Sequence, residues 1–268
     1  MSLPVFPSIK FVLAAAASVA ALVLGSVHGN ALAAVPSTLV ESAFDAVFEA
    51  SFLAERATPQ PMPVDLRDGR SVVGKRWQQT FETFERSDRA HPNAAGGVVF
   101  VGSSSISLWE DLATQFPSQR IVRRGLGGAR MADLARHADR LVLPYKPSVV
   151  VVYAGDNDLA AGDTPEAIVA ACDALVRQVQ HASPEARVKV MSIKPSPLRD
   201  ALIPQVRQTN DLLAAYAKAH DRVDYVNVFT TMLDSTGHAR AELFRSDALH
   251  LNPAGYALWR EALATHLE

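Results

Sequence analysis

Residues 98–106 read VVFVGSSSI: four apolar residues, Val98 to Val101, then Gly102 and three consecutive serines, Ser103, Ser104 and Ser105. A run that is apolar at every position is buried on both faces, as a central strand of a parallel sheet must be. A second run of this kind, VVVVY at Val149–Tyr153, ends in Gly155-Asp156-Asn157-Asp158. Outward from these two, the pattern predicts further strands at Arg120–Val122, Val188–Ile193 and Val223–Val228. Helical stretches fall near 106–115, 130–143, 165–182 and 201–220, and Pro253–His266 closes the chain. Alternating strands and helices imply an α/β fold, a parallel sheet covered by helices on both faces. Arg120–Val122 is short and flanked by charge, which suits an edge. A five-stranded sheet in the order 2-1-3-4-5, with strands one and three near the centre, accommodates all five segments.

The rest of the 268-residue chain is organised differently. From Phe11 to Leu24 only Ser18 is not hydrophobic, and Lys10 is the one charged residue among the first 33. That run is short of the roughly 20 residues a membrane-spanning helix needs. It fits the apolar region of a secretory signal, with Ala31-Leu32-Ala33 as the small-x-small pattern for cleavage after Ala33. The expected organisation is a signal peptide over 1–33, a helical N-terminal extension over 34–95 and a catalytic domain over 96–268. The expected location is periplasmic or secreted, with no stable membrane span after cleavage. Within the extension, Val40, Phe44, Val47, Phe48 and Phe52 share one face of a helix over 38–56. The alternating prolines Pro59, Pro61 and Pro63 interrupt it, and Trp77, Phe81 and Phe84 mark a second helix near 74–87. The whole chain is 49% hydrophobic, with 26 basic and 28 acidic residues and a formal charge of −2. This balance excludes disorder and argues against a nucleic-acid partner. The single cysteine, Cys172, cannot form an intrachain disulfide; with Ile168, Leu175 and Val179 at helical spacing it reads as a core residue.

In open sheets of this kind ligands bind beyond the carboxyl ends of the strands, where the strand order reverses. Four turns stand there: Gly102-Ser103-Ser104-Ser105, Gly125-Leu126-Gly127-Gly128-Ala129-Arg130, Gly155-Asp156-Asn157-Asp158, and Ser246-Asp247-Ala248-Leu249-His250. Each alone is an ordinary connector; together they supply the parts of an acyl-transfer site. A serine hydroxyl needs a base to take its proton, and His250 is a candidate. Asp247, three residues earlier, can fix the imidazole tautomer. The backbone N–H groups of Ser104 and Gly128 and the side-chain amide of Asn157 can donate to an oxyanion.

The order Ser104, Gly128, Asn157, Asp247 and His250 resembles the motif blocks of the SGNH (GDSL-type) hydrolase superfamily, and in particular its platelet-activating-factor acetylhydrolase-like branch. IVRRGLGGARMADL, KPSVVVVYAGDNDLAAG and DALHLNPAGYALW are similar to its blocks two, three and five. The resemblance covers about residues 97–266. It implies a three-layer α/β/α, flavodoxin-like hydrolase fold, without metal or cofactor. It places the nucleophile at Ser104, the base and its partner at His250 and Asp247, and the oxyanion hole at Ser104, Gly128 and Asn157. In one respect the chain departs from the family: the usual Gly-Asp-Ser is here Gly102-Ser103-Ser104, which keeps Ser103 and Ser105 as alternative nucleophiles. The expected activity is hydrolysis of a short-chain, acetyl-type ester through an acyl-enzyme, with a small-molecule, lipid or carbohydrate ester as substrate. Acyl transfer or deacetylation on a carbohydrate, and lysophospholipase or thioesterase activity, use the same residues.

Candidates for substrate contact are Trp109, as a wall of the acyl pocket or equally a core residue, and Arg130, Arg199 and Arg124, which can meet an anionic group. Asp156 can line the pocket, and Asp156 or Asp158 is an alternative partner for the histidine. Lys194-Pro195-Ser196-Pro197 leaves strand four at the functional edge as a rigid rim. Asn252 and Pro253 read as the cap and first residue of the last helix. The other histidines lack a motif. A phosphate- or flavin-binding protein of the same sheet order is the reading from a different class, but it leaves Asn157, Asp247 and His250 without a role.

Overall fold

The computed structural model describes residues 76–92 and 95–267, which lie in the unit Asp68–Glu268. The expected signal segment, the helix over 38–56 and the proline-rich break fall outside the described residues. The five strands are β1 (Val98–Gly102), β2 (Ile121–Gly125), β3 (Val149–Tyr153), β4 (Arg187–Met191) and β5 (Val223–Val226). All neighbours are parallel and the order is β2-β1-β3-β4-β5. In register, Gly102 stands opposite both Gly125 of β2 and Tyr153 of β3. Three strand ends therefore finish level, and the three turns that follow them open side by side.

Successive side chains of a strand point to opposite faces, so each run of valines feeds two cores. Val99, Val101, Val150, Val152, Val188 and Val190 pack on one face, with Trp77, Phe81, Ile168, Cys172, Leu175, Leu213 and Tyr216. The helices covering that face are α1 (Gln78–Ala90), α4 (Met131–Arg136), α5 (Ala138–Leu141), α7 (Pro165–Ala182) and α8 (Ile203–Lys218). Val98, Phe100, Val151 and Tyr153 pack on the other face with Trp109, Phe116, Tyr256, Trp259 and Leu263. Its covers are the short helices α2 (Ser104–Ser107) and α3 (Leu112–Gln115) and the closing helix α9 (Pro253–Leu267). The result is a three-layer α/β/α sandwich. A further short helix, α6 (Asp156–Ala160), begins directly after Gly155.

Five expected elements need correction. The stretch 106–115 is two turns rather than one helix. The Arg123 guanidinium takes the carbonyls of Ser107 (3.2 Å) and Trp109 (2.7 Å), which a continuous helix would need for itself. β2 runs on to Gly125, past Arg123 and Arg124, because both charges find partners on their own faces: Arg124 is buried against Asp88 and the Tyr145 hydroxyl. The helix near 74–87 spans Gln78–Ala90 among the described residues. β4 and β5 also end early. The Ser192 hydroxyl accepts the N–H groups of Val228 and Phe229, and Asn210 accepts that of Ile193, so side chains replace the ladder at those ends.

Candidate active site

β1 delivers Ser104 as the first residue of α2, where a backbone N–H has no intrahelical acceptor. Its Oγ lies 3.1 Å from His250 Nε2. His250 Nδ1 lies 2.7 Å from Asp247 Oδ2, and Asp247 Oδ1 accepts the N–H groups of His250 (2.9 Å) and Leu249 (3.0 Å). Those backbone donors, first that of His250, together with the imidazole hold the Asp247 carboxyl well below the usual carboxylate range. Asp247 is therefore ionised at neutral pH. The hydrogen on Nδ1 faces Asp247, and Nε2 is left to accept the serine proton. Neighbouring Ser103 and Ser105 are buried, Ser105 beside the Tyr153 hydroxyl. Of the three serines, only Ser104 reaches the imidazole.

The loop that carries His250 is tied on both sides. The Arg245 N–H donates to the His250 carbonyl (2.8 Å), and its guanidinium Nε to that of Leu251 (2.9 Å). Ala248 has φ +57°, a left-handed conformation that only the loop's closure imposes on a non-glycine. Asn252 then caps α9, accepting the N–H groups of Ala254 and Gly255, and Pro253 is the first helical residue as its spacing predicts. α9 in turn braces the serine turn: the Tyr256 hydroxyl donates to the Ser105 carbonyl at 2.9 Å.

Gly125 ends β2 where a Cβ would collide with the backbone of Ser107, so this glycine lets the loop 125–130 pass α2. Gly128 has φ +70°, which turns the chain toward the site, and its N–H donates to no acceptor among the described residues. Three contacts clamp this loop to the turn after β3. Asn157 Nδ2 donates to the Ala129 carbonyl at 3.1 Å, the Met131 N–H donates to Asp158 Oδ1 at 2.8 Å, and Arg130 Nη1 lies 3.3 Å from Asp163. The Trp77 indole adds a fourth contact from the N-terminal side, donating to the Gly127 carbonyl at 3.0 Å. Sequence reading missed that last tie, since Trp77 shows only as one apolar residue of a helix face.

The substrate-contact candidates separate. Trp109 is fully buried, stacked on Tyr256 and edge-on to Phe100 and Trp259; it belongs to the core rather than to a pocket wall. Arg124 is held by Asp88 and Tyr145, with its guanidinium over the Phe84 ring. Arg130 is half exposed beside Asp163. Arg199 does not wait for an anion: Nη2 donates to Asn157 Oδ1 at 3.0 Å and Nη1 lies 3.2 Å from Asp156 Oδ2. Asp156 is buried and also pairs with Lys194 at 3.1 Å. Burial alone would raise the Asp156 carboxyl, but the Lys194 and Arg199 charges outweigh it and lower it. Asp158 has no such cation, and burial pushes it up to about 6. Neither aspartate is the partner of His250. The legible signal for Lys194 is its place in Lys194-Pro195-Ser196-Pro197, the rim that leaves strand four. Leu198, the next rim residue, is exposed and its N–H donates to the Ala248 carbonyl at 3.0 Å, joining this rim to the histidine loop. Among the described residues no cluster of His, Cys, Asp and Glu is arranged to hold a metal ion.

A family model described as the GDSL-like Lipase/Acylhydrolase family matches residues 102–258, more than half of the chain. The chain is 28% identical over 172 residues to platelet-activating factor acetylhydrolase IB subunit alpha1 of Homo sapiens, covering 59% of this chain and 70% of that one. In structure it is similar to a putative platelet activating factor from Streptococcus pneumonia, with a TM-score of 0.65 and 21% identity, covering 72% of this chain and 94% of the other. It is also similar to a GDSL-like lipase from Bacteroides thetaiotaomicron, with a TM-score of 0.62 and 20% identity, covering 70% and 96%. At these identities the two structural likenesses speak to the fold.

Proposed function

The chain belongs to the GDSL-like lipase/acylhydrolase family and is an ester-hydrolysing enzyme, and from that premise we propose that it is a serine esterase acting on short-chain, acetyl-type esters through an acyl-enzyme. The observation that carries this reading is the unbroken chain of contacts from Ser104 Oγ to His250 Nε2 and from His250 Nδ1 to Asp247 Oδ2. Ser104 attacks the ester carbonyl while His250 takes its proton, and Asp247 stabilises the imidazolium that forms. The tetrahedral oxyanion receives hydrogen bonds from the N–H groups of Ser104 and Gly128 and from Asn157 Nδ2. Collapse expels the alcohol, which takes the proton from His250. Water then attacks the acyl group by the same route, and the acid leaves.

The acetyl preference is supported by the likeness to the human relative, a subunit of a platelet-activating factor acetylhydrolase. Export is supported by the apolar run Phe11–Leu24 and the Ala31-Leu32-Ala33 pattern. Sequencing the amino terminus of the exported protein is expected to begin at Ala34; a protein that keeps Met1 and stays in the cytoplasm overturns this part.

Labelling with a fluorophosphonate, followed by peptide mapping, tests the assignment. The expected result is a single adduct on Ser104, abolished in Ser104→Ala and strongly slowed in His250→Ala. An adduct on Ser103 or Ser105 contradicts the choice of nucleophile. An active enzyme that takes no label contradicts the serine mechanism. Asn157→Ala is expected to lower kcat on an aryl acetate by about 10²–10³-fold.

A further inference from the structure

We infer that Arg199 is a positioning residue for the esterase reaction: held by the buried Asp156–Lys194 pair, it fixes and polarises the Asn157 amide that donates to the oxyanion. This rests on the reading of Asn157 given under Proposed function. Two partners with opposite requirements grip that amide. A guanidinium can only donate, and it faces Oδ1 at 3.0 Å; a carbonyl can only accept, and that of Ala129 faces Nδ2 at 3.1 Å. Turning the amide over would set donor against donor and acceptor against acceptor, so one orientation is imposed from both ends. One hydrogen of Nδ2 is spent on Ala129, which leaves the second for the oxyanion.

Arg199 cannot swing away freely, because its other nitrogen lies 3.2 Å from Asp156 Oδ2. Asp156 is itself anchored by Lys194, whose side chain is 1% exposed. A lysine so buried must be paired, and its carboxylate partner is shared between two cations. The cluster therefore carries one positive charge in excess, next to the amide rather than in solvent. A charge-assisted bond to Oδ1 draws electron density through the amide and makes Nδ2–H a better donor. The benefit is largest when negative charge develops on the substrate oxygen, so it belongs to kcat rather than to binding of the uncharged ester.

The test is a double-mutant cycle on an aryl acetate, with Arg199→Ala, Asn157→Ala and the pair together. Arg199→Ala is expected to lower kcat about 10-fold or more while KM changes less than about threefold. Added ethylguanidine is expected to restore part of the lost rate, since the Arg199 side chain is partly open to solvent. In the Asn157→Ala background the Arg199 change is expected to cost little more. An equal kcat loss in both backgrounds, or an effect confined to KM for anionic esters, overturns the inference and returns Arg199 to direct substrate contact. If Arg199→Ala does not fold, Arg199→Lys keeps the charge and Arg199→Gln keeps a donor for Oδ1 without it; both are expected to fall below wild type, with Lys retaining more rate than Gln. Gln at or above Lys overturns the polarising role. Fluorophosphonate labelling of the same proteins separates the failures: unlabelled but active wild type removes the esterase reading itself, whereas labelled wild type with independent effects removes only the role of Arg199.

Discussion

Asp158 is a residue whose ionisation costs the fold something. One oxygen accepts the Met131 N–H; the other is buried with no partner among the described residues. Burial raises its carboxyl to about 6 from a reference value of 3.8. The folded state thus keeps a proton that the unfolded chain has already released, and stability from this group falls as pH rises from about 4 through 6. Above that window the full cost remains, on the order of 1–3 kcal/mol. Asp158→Asn keeps an acceptor for Met131 and removes the charge. Its melting temperature relative to wild type is expected to rise more at pH 8 than at pH 5. An equal offset at both pH values contradicts this account. Asp247 has the opposite sign: its lowered carboxyl stays ionised across the neutral range, so Asp247→Asn is expected to be impaired throughout that range rather than on one limb of the profile. The contacts among Ser104, His250 and Asp247 were legible because Ser104 stands in the turn after the first strand and Asp247 three residues before His250. The contact of Arg199 was not. Its partner Asn157 lies 42 residues away, and only the finished sheet brings them together.

Among the elements, α2, α3 and α9 join the serine turn to the histidine loop through aromatic packing. Trp109 lies between them, with ring centroids 5.1 Å from Tyr256 and 5.9 Å from Trp259. Truncating a fully buried tryptophan costs about 3–5 kcal/mol. Trp109→Ala is therefore expected to lower the melting temperature strongly while the residual enzyme keeps its acyl-length preference. A changed preference at unchanged stability would put Trp109 back on the pocket wall. The central strands β1 and β3 were readable because both are apolar on every residue. The end of β2 was not, because Arg123 and Arg124 look like a boundary until the Trp109 carbonyl and Asp88 are seen to receive them. The break between α2 and α3 has the same origin: a side chain from a neighbouring strand claims carbonyls that local propensity assigns to the helix.

For the whole molecule, one geometric fact organises the site. Gly102, Gly125 and Tyr153 stand in register, so the serine, Gly128 and asparagine turns emerge at one level of the sheet. α9, packed on the opposite core, then closes the histidine loop over them. That order of strands and turns was legible from hydrophobic pattern and turn composition, whereas the cross-links between turns had to be seen in three dimensions. The central claim is that Ser104 carries the acyl group during turnover. Its most direct test is acid quench of the enzyme during hydrolysis of an aryl acetate, followed by peptide mass mapping, with Asn157→Ala included to slow the steps. The account predicts one acetyl group, on Ser104 alone, that disappears when substrate is exhausted. Acetyl on Ser103 or Ser105, or steady turnover with Ser104→Ala as fast as wild type, would contradict it.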